Sequence, residues 1–277
     1  MADHRVPSSS LDDDVSSEPT RYLAAAKELL DRLDSQADAL GQVSQLCADA
    51  IAAGGLVHLF GTGHSRIPVE EMFPRYGSYP GFHPIVELSM TFHTQVVGAN
   101  GQRQAMFIER TEGLAETILA NFELAPPDVM MVFSAGGGTA VPIELAKGAK
   151  ARGLTVVAVT SRAAAEAGEG PRLLDHADVV LDLCTPAGDA LIALEGVETP
   201  VGPGSTIAAV ALVNSVKVRT AELLAERGAL PPVLTSAAVV GREESARLFD
   251  AAYAEHARRA AQVLRGAGRA AGGEPAR

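Results

Sequence analysis

The chain has 277 residues, 47% of them hydrophobic, with 23 Lys+Arg against 34 Asp+Glu and a formal net charge of -11. That is enough apolar side chain for a sizeable core in one large domain or two modest ones. The acidic balance, with no Lys/Arg-rich run, argues against nucleic acid and anionic membranes as partners, and the absence of Trp with 4% aromatics disfavours base-stacking platforms.

Residues 1–18 are polar, with Ser8-Ser9-Ser10 followed by Asp12-Asp13-Asp14. Such a segment cannot bury enough apolar surface to offset its ordering entropy, so a disordered tail is expected. Leu23, Leu30, Leu33, Ala37, Leu40, Cys47 and Ile51 then recur at helical intervals. This predicts one helix of more than about 30 residues, capped by Ser17 with Pro19 in its first turn and stopped by Gly54-Gly55. A stripe of that length predicts packing beyond its own subunit, hence a dimer. Cys47 and Cys184 fit neither a metal-ligand spacing nor a disulfide framework. Neither a secretory signal nor a bilayer-spanning apolar run is read, and a soluble cytoplasmic protein with reduced thiols is expected.

Short apolar runs alternate with helical stretches from there on. Leu56-Phe60 reads as a buried strand and leads into Gly61-Thr62-Gly63-His64-Ser65. Val129-Phe133 leads into Ser134-Ala135-Gly136-Gly137-Gly138-Thr139 and a helix over 140–151. Further strands are predicted at 154–160 and 179–183, with a helix between them. Non-alternating apolar runs suit parallel strands covered on both faces. The order implies a doubly wound α/β layer sandwich with right-handed crossovers. Helices over 205–227 and 243–264 close the chain, and residues 266–277 read as a frayed tail.

Ligands of open α/β sheets sit beyond the carboxyl ends of the strands, where both glycine-rich segments lie. Glycines let backbone amides approach an oxyanion, and the following helix adds free N–H groups and a favourable dipole. Ser134, Thr139 and the amides of Ala135 to Gly138 therefore form a candidate phosphate cradle. No Gly-Lys-Ser/Thr follows either loop, and Gly61-Thr62-Gly63 lacks the third glycine of a dinucleotide fingerprint. A nucleoside triphosphate or NAD is disfavoured, and no cofactor is expected. His64, inside the first loop, reads as a ligand contact or proton shuttle. His83 and His93 read as capping or packing residues, although His93 with Thr91 and Thr94 is polar enough to line a pocket. Their spacing matches no zinc pattern, so no metal is expected.

The segment Phe133-Ser134-Ala135-Gly136-Gly137-Gly138-Thr139 is similar to the Ser-x-Ser-Gly-x-Thr phosphate loop of the sugar isomerase (SIS) domain, and Gly61-Thr62-Gly63-His64-Ser65 resembles its first glycine loop. The resemblance covers residues 22–225. It is nearest to a family of uncharacterised SIS proteins and next to the N-acetylmuramic acid 6-phosphate etherases, which Gly61 to Arg66 and Val201-Gly202-Pro203-Gly204-Ser205-Thr206 also resemble. It implies a three-layer αβα sandwich with a five-stranded parallel sheet plus long N- and C-terminal helices. It also implies a homodimer with its site near the subunit interface, and a small-molecule phosphosugar ligand. On this reading residues 19–229 form the phosphosugar-binding domain and 230–265 a C-terminal helical extension. Two departures stand out. The second serine of the phosphate loop is Gly136, and apolar Ile207 and Ala208 follow Thr206 where etherases carry basic residues. The latter points away from a lactyl ether and towards a plain hydroxyl leaving group.

Removing a proton from C2 of a sugar requires a positioned base, with a second group to serve the departing oxygen. Glu109, in Phe107-Ile108-Glu109-Arg110, is the first choice of base, and its place resembles that of an etherase glutamate. Arg110 beside it equally suits an ion-pair role. Glu71, of the pair Glu70-Glu71, is assigned the protonation of the oxygen leaving C3, and Glu87 is the next candidate. Ser134, Ala135, Gly136, Gly137 and Thr139 would hold the phosphate, with Gly61, Thr62, Gly63 and Ser65 assisting from the first loop. The expected reaction is loss of water from a hexosamine 6-phosphate, foremost N-acetylglucosamine 6-phosphate. Aldose–ketose isomerisation and sensing without turnover are the alternatives.

Overall fold

The computed structural model describes residues 20–91 and 101–264. Five short strands form one sheet: β1 (Val57–Gly61), β2 (Phe82–Ile85), β3 (Val129–Phe133), β4 (Thr155–Thr160) and β5 (Val179–Asp182). Their order is β2-β1-β3-β4-β5, and every pairing is parallel. Successive side chains of a strand point to opposite faces, and the core divides accordingly. Val57, Leu59, Val129, Met131, Phe133, Val157 and Val159 enter one apolar cluster; Phe60, Met130, Val132, Val156 and Ala158 enter the other. Both faces need cover, which explains why these runs read as continuously apolar.

The first face is covered by α1 (Arg21–Leu33), α2 (Ala37–Ala52) and the later long helix Ser205–Glu226. The second is covered by segments around Leu114–Leu119 and Ala140–Ala151. The result is the three-layer sandwich expected.

The single N-terminal helix is not observed. A 3-10 turn at Asp34–Gln36 separates α1 from α2. Gln36 donates from Nε2 to the Asp182 carbonyl at 2.7 Å and accepts the Asp182 amide on Oε1 at 2.8 Å. Its side-chain amide thus completes the backbone pairing of β5 at the sheet edge. The chain leaves helical geometry where this bond is made, with φ −111° at Gln36. Ser17, Pro19 and both tails lie outside the described residues.

After β1 a 3-10 turn (Gly63–Arg66) runs into α3 (Ile67–Met72), and α4 (Leu88–Thr91) follows β2. Next come α5 (Gly101–Ile108), α6 (Leu114–Leu119), α7 (Ala140–Ala151) after β3 and α8 (Arg162–Ala167) after β4. An antiparallel hairpin, β6 (Ala190–Ile192) with β7 (Val201–Pro203), precedes α9 (Ser205–Glu226); no apolar periodicity announced it. The C-terminal segment carries α10 (Ala237–Val240) and α11 (Arg242–Val263) and packs on the sandwich. Buried Arg259 donates to the carbonyls of Ile51 and Gly55 at 2.9 and 2.8 Å, tying α11 to the end of α2. No helix among the described residues is long and apolar enough to cross a membrane.

Candidate active site

Strand order decides where a ligand fits. In a doubly wound sheet the crevice opens where neighbouring strands send their connections to opposite faces. In the order β2-β1-β3-β4-β5 this point falls between β1 and β3. The loops leaving those strands are the two glycine-rich segments. Thr62 to Ser65 and Ser134 to Thr139 line a shared cleft of about 500 Å³, with Gln102, Met106, Glu109 and Arg110 contributing from α5 and the turn beyond it. Gly168 and Glu169 line it as well.

The loop after β3 is held in shape from behind. Ser161 donates its amide to the Ala135 carbonyl at 3.1 Å, Thr160 Oγ1 donates to the same oxygen at 3.4 Å, and the Leu173 amide donates to Gly137 O at 2.7 Å. Gly137 has φ +63°, and a Cβ there would stand 2.7 Å from Thr160 Oγ1, so the position admits only glycine without strain. Its amide donates to Ser134 Oγ at 3.2 Å. Ser134 accepts that bond, so its own proton stays available to a ligand. The amides of Gly136, Gly138 and Thr139 find no acceptor among the described residues. Thr139 is the N-cap of α7 in extended geometry, and its side chain makes no capping bond. These donors, at the positive end of a helix dipole, suit an anion.

The first loop divides its work differently. Gly61 ends β1 behind the cleft, where a Cβ would collide with the carbonyl of Ser65. Its role is to permit the turn. Gly63, with φ +52°, together with His64 and Ser65, faces the cleft. Thr62, only 9% exposed, donates from Oγ1 to Glu109 Oε2 at 2.7 Å. A hydroxyl has one proton, so Thr62 in this geometry is not a donor to a phosphate.

Glu109 is therefore placed at the cleft wall with a fixed orientation. Its carbonyl accepts the Val141 amide at 2.9 Å, satisfying one of the unpaired N–H groups in the first turn of α7. The residue is pinned through its side chain to the first glycine loop and through its main chain to the helix that leaves the second.

Glu71 is elsewhere. On α3 it turns towards α9 and borders a different cleft, lined also by Tyr76, Phe249 and Tyr253. Asn214 Nδ2 donates to its Oε1 at 2.9 Å, and the Arg75 guanidinium binds its Oε2. Burial works to raise its pKa, but those two hydrogen bonds and the charges of Arg75 and Lys217 outweigh it and hold the carboxyl below the usual range. A carboxyl kept ionised is a poor proton donor near neutrality. The structure thus does not bring Glu71 to Glu109, and the acid role expected of it has no geometric support. Glu70 is exposed and paired with Arg66 at 2.5 Å, while Glu87 accepts from Ser89 Oγ at 2.9 Å. Neither lines the cleft.

Ser205 and Thr206, from the Gly-Pro-Gly-Ser-Thr stretch, meet His64, Ser65 and Ser134 around a void of about 20 Å³, room for about one water. The Ser205 hydroxyl is occupied: it donates to Asp189 Oδ2 at 2.7 Å, and Asp189 Oδ1 accepts the amides of Ser205 and Gly204 at 2.6 and 3.1 Å. His93 and Thr94 lie outside the described residues. Among those described, no group of three or more His, Cys, Asp or Glu is arranged to hold a metal ion. Gln102, Met106 and Glu169 were missed in the sequence; the first two share a face of α5 with Ala105 and Glu109 at spacings of three and four, a pattern available to inspection.

Fold and cleft together define an α/β protein with two glycine-rich loops at the switch point of a parallel sheet. The chain belongs to the SIS-domain family, whose sequence profile matches residues 21–161. It is 34% identical over 239 residues to a UPF0309 protein of Streptomyces coelicolor, covering 83% of this chain and 93% of that one. A UPF0309 protein of Geobacillus kaustophilus is 32% identical over 228 residues, covering 80% and 88%. Among solved structures, a phosphoheptose isomerase from Neisseria gonorrhoeae superposes with a TM-score of 0.47 at 15% identity, covering 72% of this chain and 94% of that one.

Proposed function

We propose that the cleft binds the phosphate of a hexosamine 6-phosphate, foremost N-acetylglucosamine 6-phosphate, and that Glu109 removes the proton at C2. The observation that carries this reading is the pairing of unoccupied donors at residues 134–139 with a carboxylate held at the same cleft by Thr62. The open-chain aldehyde makes the C2 proton acidic, because the resulting charge spreads onto the C1 oxygen. In elimination the electron pair forms a C2=C3 bond, the C3–O bond breaks, and the departing hydroxyl takes a proton to leave as water. With Glu71 away from the cleft, the acid role falls to another group on its wall, and His64, inside the first loop, takes it ahead of Glu169. A homodimer with this cleft near its interface, acting on a soluble phosphosugar in the cytoplasm, belongs to the same proposal.

The placement of Glu71 outside the cleft also favours a second reading. Aldose–ketose isomerisation moves one proton from C2 to C1 and needs no second acid for a leaving group. Purified protein incubated with N-acetylglucosamine 6-phosphate separates the two by product mass. Loss of one water supports elimination; a ketose of unchanged mass supports isomerisation. Unchanged substrate in the presence of measurable binding rejects both and leaves a sensor. Glu109→Gln should lower turnover on the order of a hundredfold or more.

A further inference from the structure

We infer that Thr62 is a positioning residue for the base and not a ligand for the phosphate. The inference rests on the reading of Glu109 given above. Thr62 follows the last residue of β1, and Glu109 lies 47 positions later in the turn beyond α5. A carboxylate on such a turn has three rotatable bonds and a wide choice of orientations. The Thr62 hydroxyl takes one of its oxygens at 2.7 Å, while the other stays available. At 9% exposure Thr62 is shielded from competing water, and a bond to a charged acceptor is stronger than a neutral one.

The main chain completes the arrangement. The Val141 amide donates to the Glu109 carbonyl at 2.9 Å, so the backbone of the base is fixed to the helix that begins at the phosphate loop. Glu109 bridges the first loop and α7 as a strut. Thr62 sets the direction of its carboxylate, and α7 sets the distance between that carboxylate and the phosphate. Holding reacting groups near attack geometry lowers the barrier without adding affinity, so the inference separates kcat from KM.

The test is exchange of label out of C2. N-acetylglucosamine 6-phosphate deuterated at C2 is followed by NMR, and loss of the C2 deuterium resonance reports proton abstraction whether the intermediate reprotonates, eliminates or isomerises. Wild type, Thr62→Val, Thr62→Ser and Glu109→Gln are compared, with thermal unfolding of each to confirm folding. Thr62→Val should slow exchange about ten- to thirtyfold, on the scale of misplacement effects, with KM within about twofold of wild type. Thr62→Ser, which keeps the hydroxyl, should recover most of the rate. A Thr62→Val enzyme that exchanges at the wild-type rate, or one whose loss lies in KM, overturns the positioning role while Glu109 stands. Failure of Thr62→Ser to recover the rate in a folded protein also overturns it. Full exchange by Glu109→Gln, or none by wild type, instead removes the base on which the inference rests.

Discussion

The Nδ1 atoms of His58 and His83 face each other at 2.9 Å in the interior, on neighbouring strands β1 and β2 where the two residues are directly in register. His58 Nε2 lies 3.1 Å from Asp128 Oδ2, and Asp128 Oδ1 accepts the Leu56 amide at 2.8 Å. With His58 donating from Nε2 to the carboxylate, its Nδ1 accepts, and His83 carries the proton between the rings. Each ring then has one defined tautomer, assigned from the bonds that surround it.

This cluster predicts acid sensitivity of the fold. Burial, then the neighbouring His58 and His256, push the His83 pKa down to about 4, against an opposing pull from Asp128. Unfolded histidine takes its proton near 6.5. Between those values the unfolded chain binds more protons than the folded one, so stability falls as pH drops from about 6.5 towards 4 and is untouched by this group above that window. The loss should be on the order of 3 kcal/mol. Urea unfolding at steps from pH 7.5 to 4.5 measures it, and His83→Gln should flatten the slope; an equal slope in that variant would assign it to other groups.

Ser134→Ala combined with Thr139→Ala should weaken phosphosugar binding. Each hydroxyl bond to a charged group contributes about 1.5–3 kcal/mol, so calorimetry should show a loss of more than about tenfold. Unaltered affinity would leave the amides as the whole cradle.

Gly137→Ala places a methyl 2.7 Å from Thr160 Oγ1 at φ +63°. The left-handed conformation alone costs about 1–2 kcal/mol for an L-residue. Both thermal stability and phosphosugar affinity should drop, because the loop cannot relax without moving Ser134, which receives its amide. A drop in stability with full affinity would show that the loop tolerates the shift.

Asp189→Ala should destabilise the protein by about 1–2 kcal/mol, the scale of a lost helix cap. The carboxylate serves two amides and one hydroxyl at the start of α9, and adds favourable charge there. Asp189→Asn keeps an acceptor and should cost less. Chemical denaturation of the pair distinguishes charge from hydrogen bonding: equal losses would assign the effect to charge.

Much of this molecule was legible along the chain. Val129–Phe133 and its sister runs are apolar without alternation because both faces of their sheet are covered. Ser134 to Thr139 is rich in glycine because the backbone must turn with a positive φ against Thr160 and leave its amides free. Local composition carries such signals, since burial and turn geometry act on each segment as a whole. Partnerships between distant side chains carry none. Gln36 interrupts a well-patterned helix to bond a strand edge 146 positions away. Glu71 and Glu109 look equivalent as acidic residues beside loops, yet packing of α3 against α9 delivers one to Asn214 and Arg75, while Thr62 and Val141 hold the other at the cleft. Choosing between them required the tertiary structure, because a carboxylate's chemistry depends on which donors the fold sets around it.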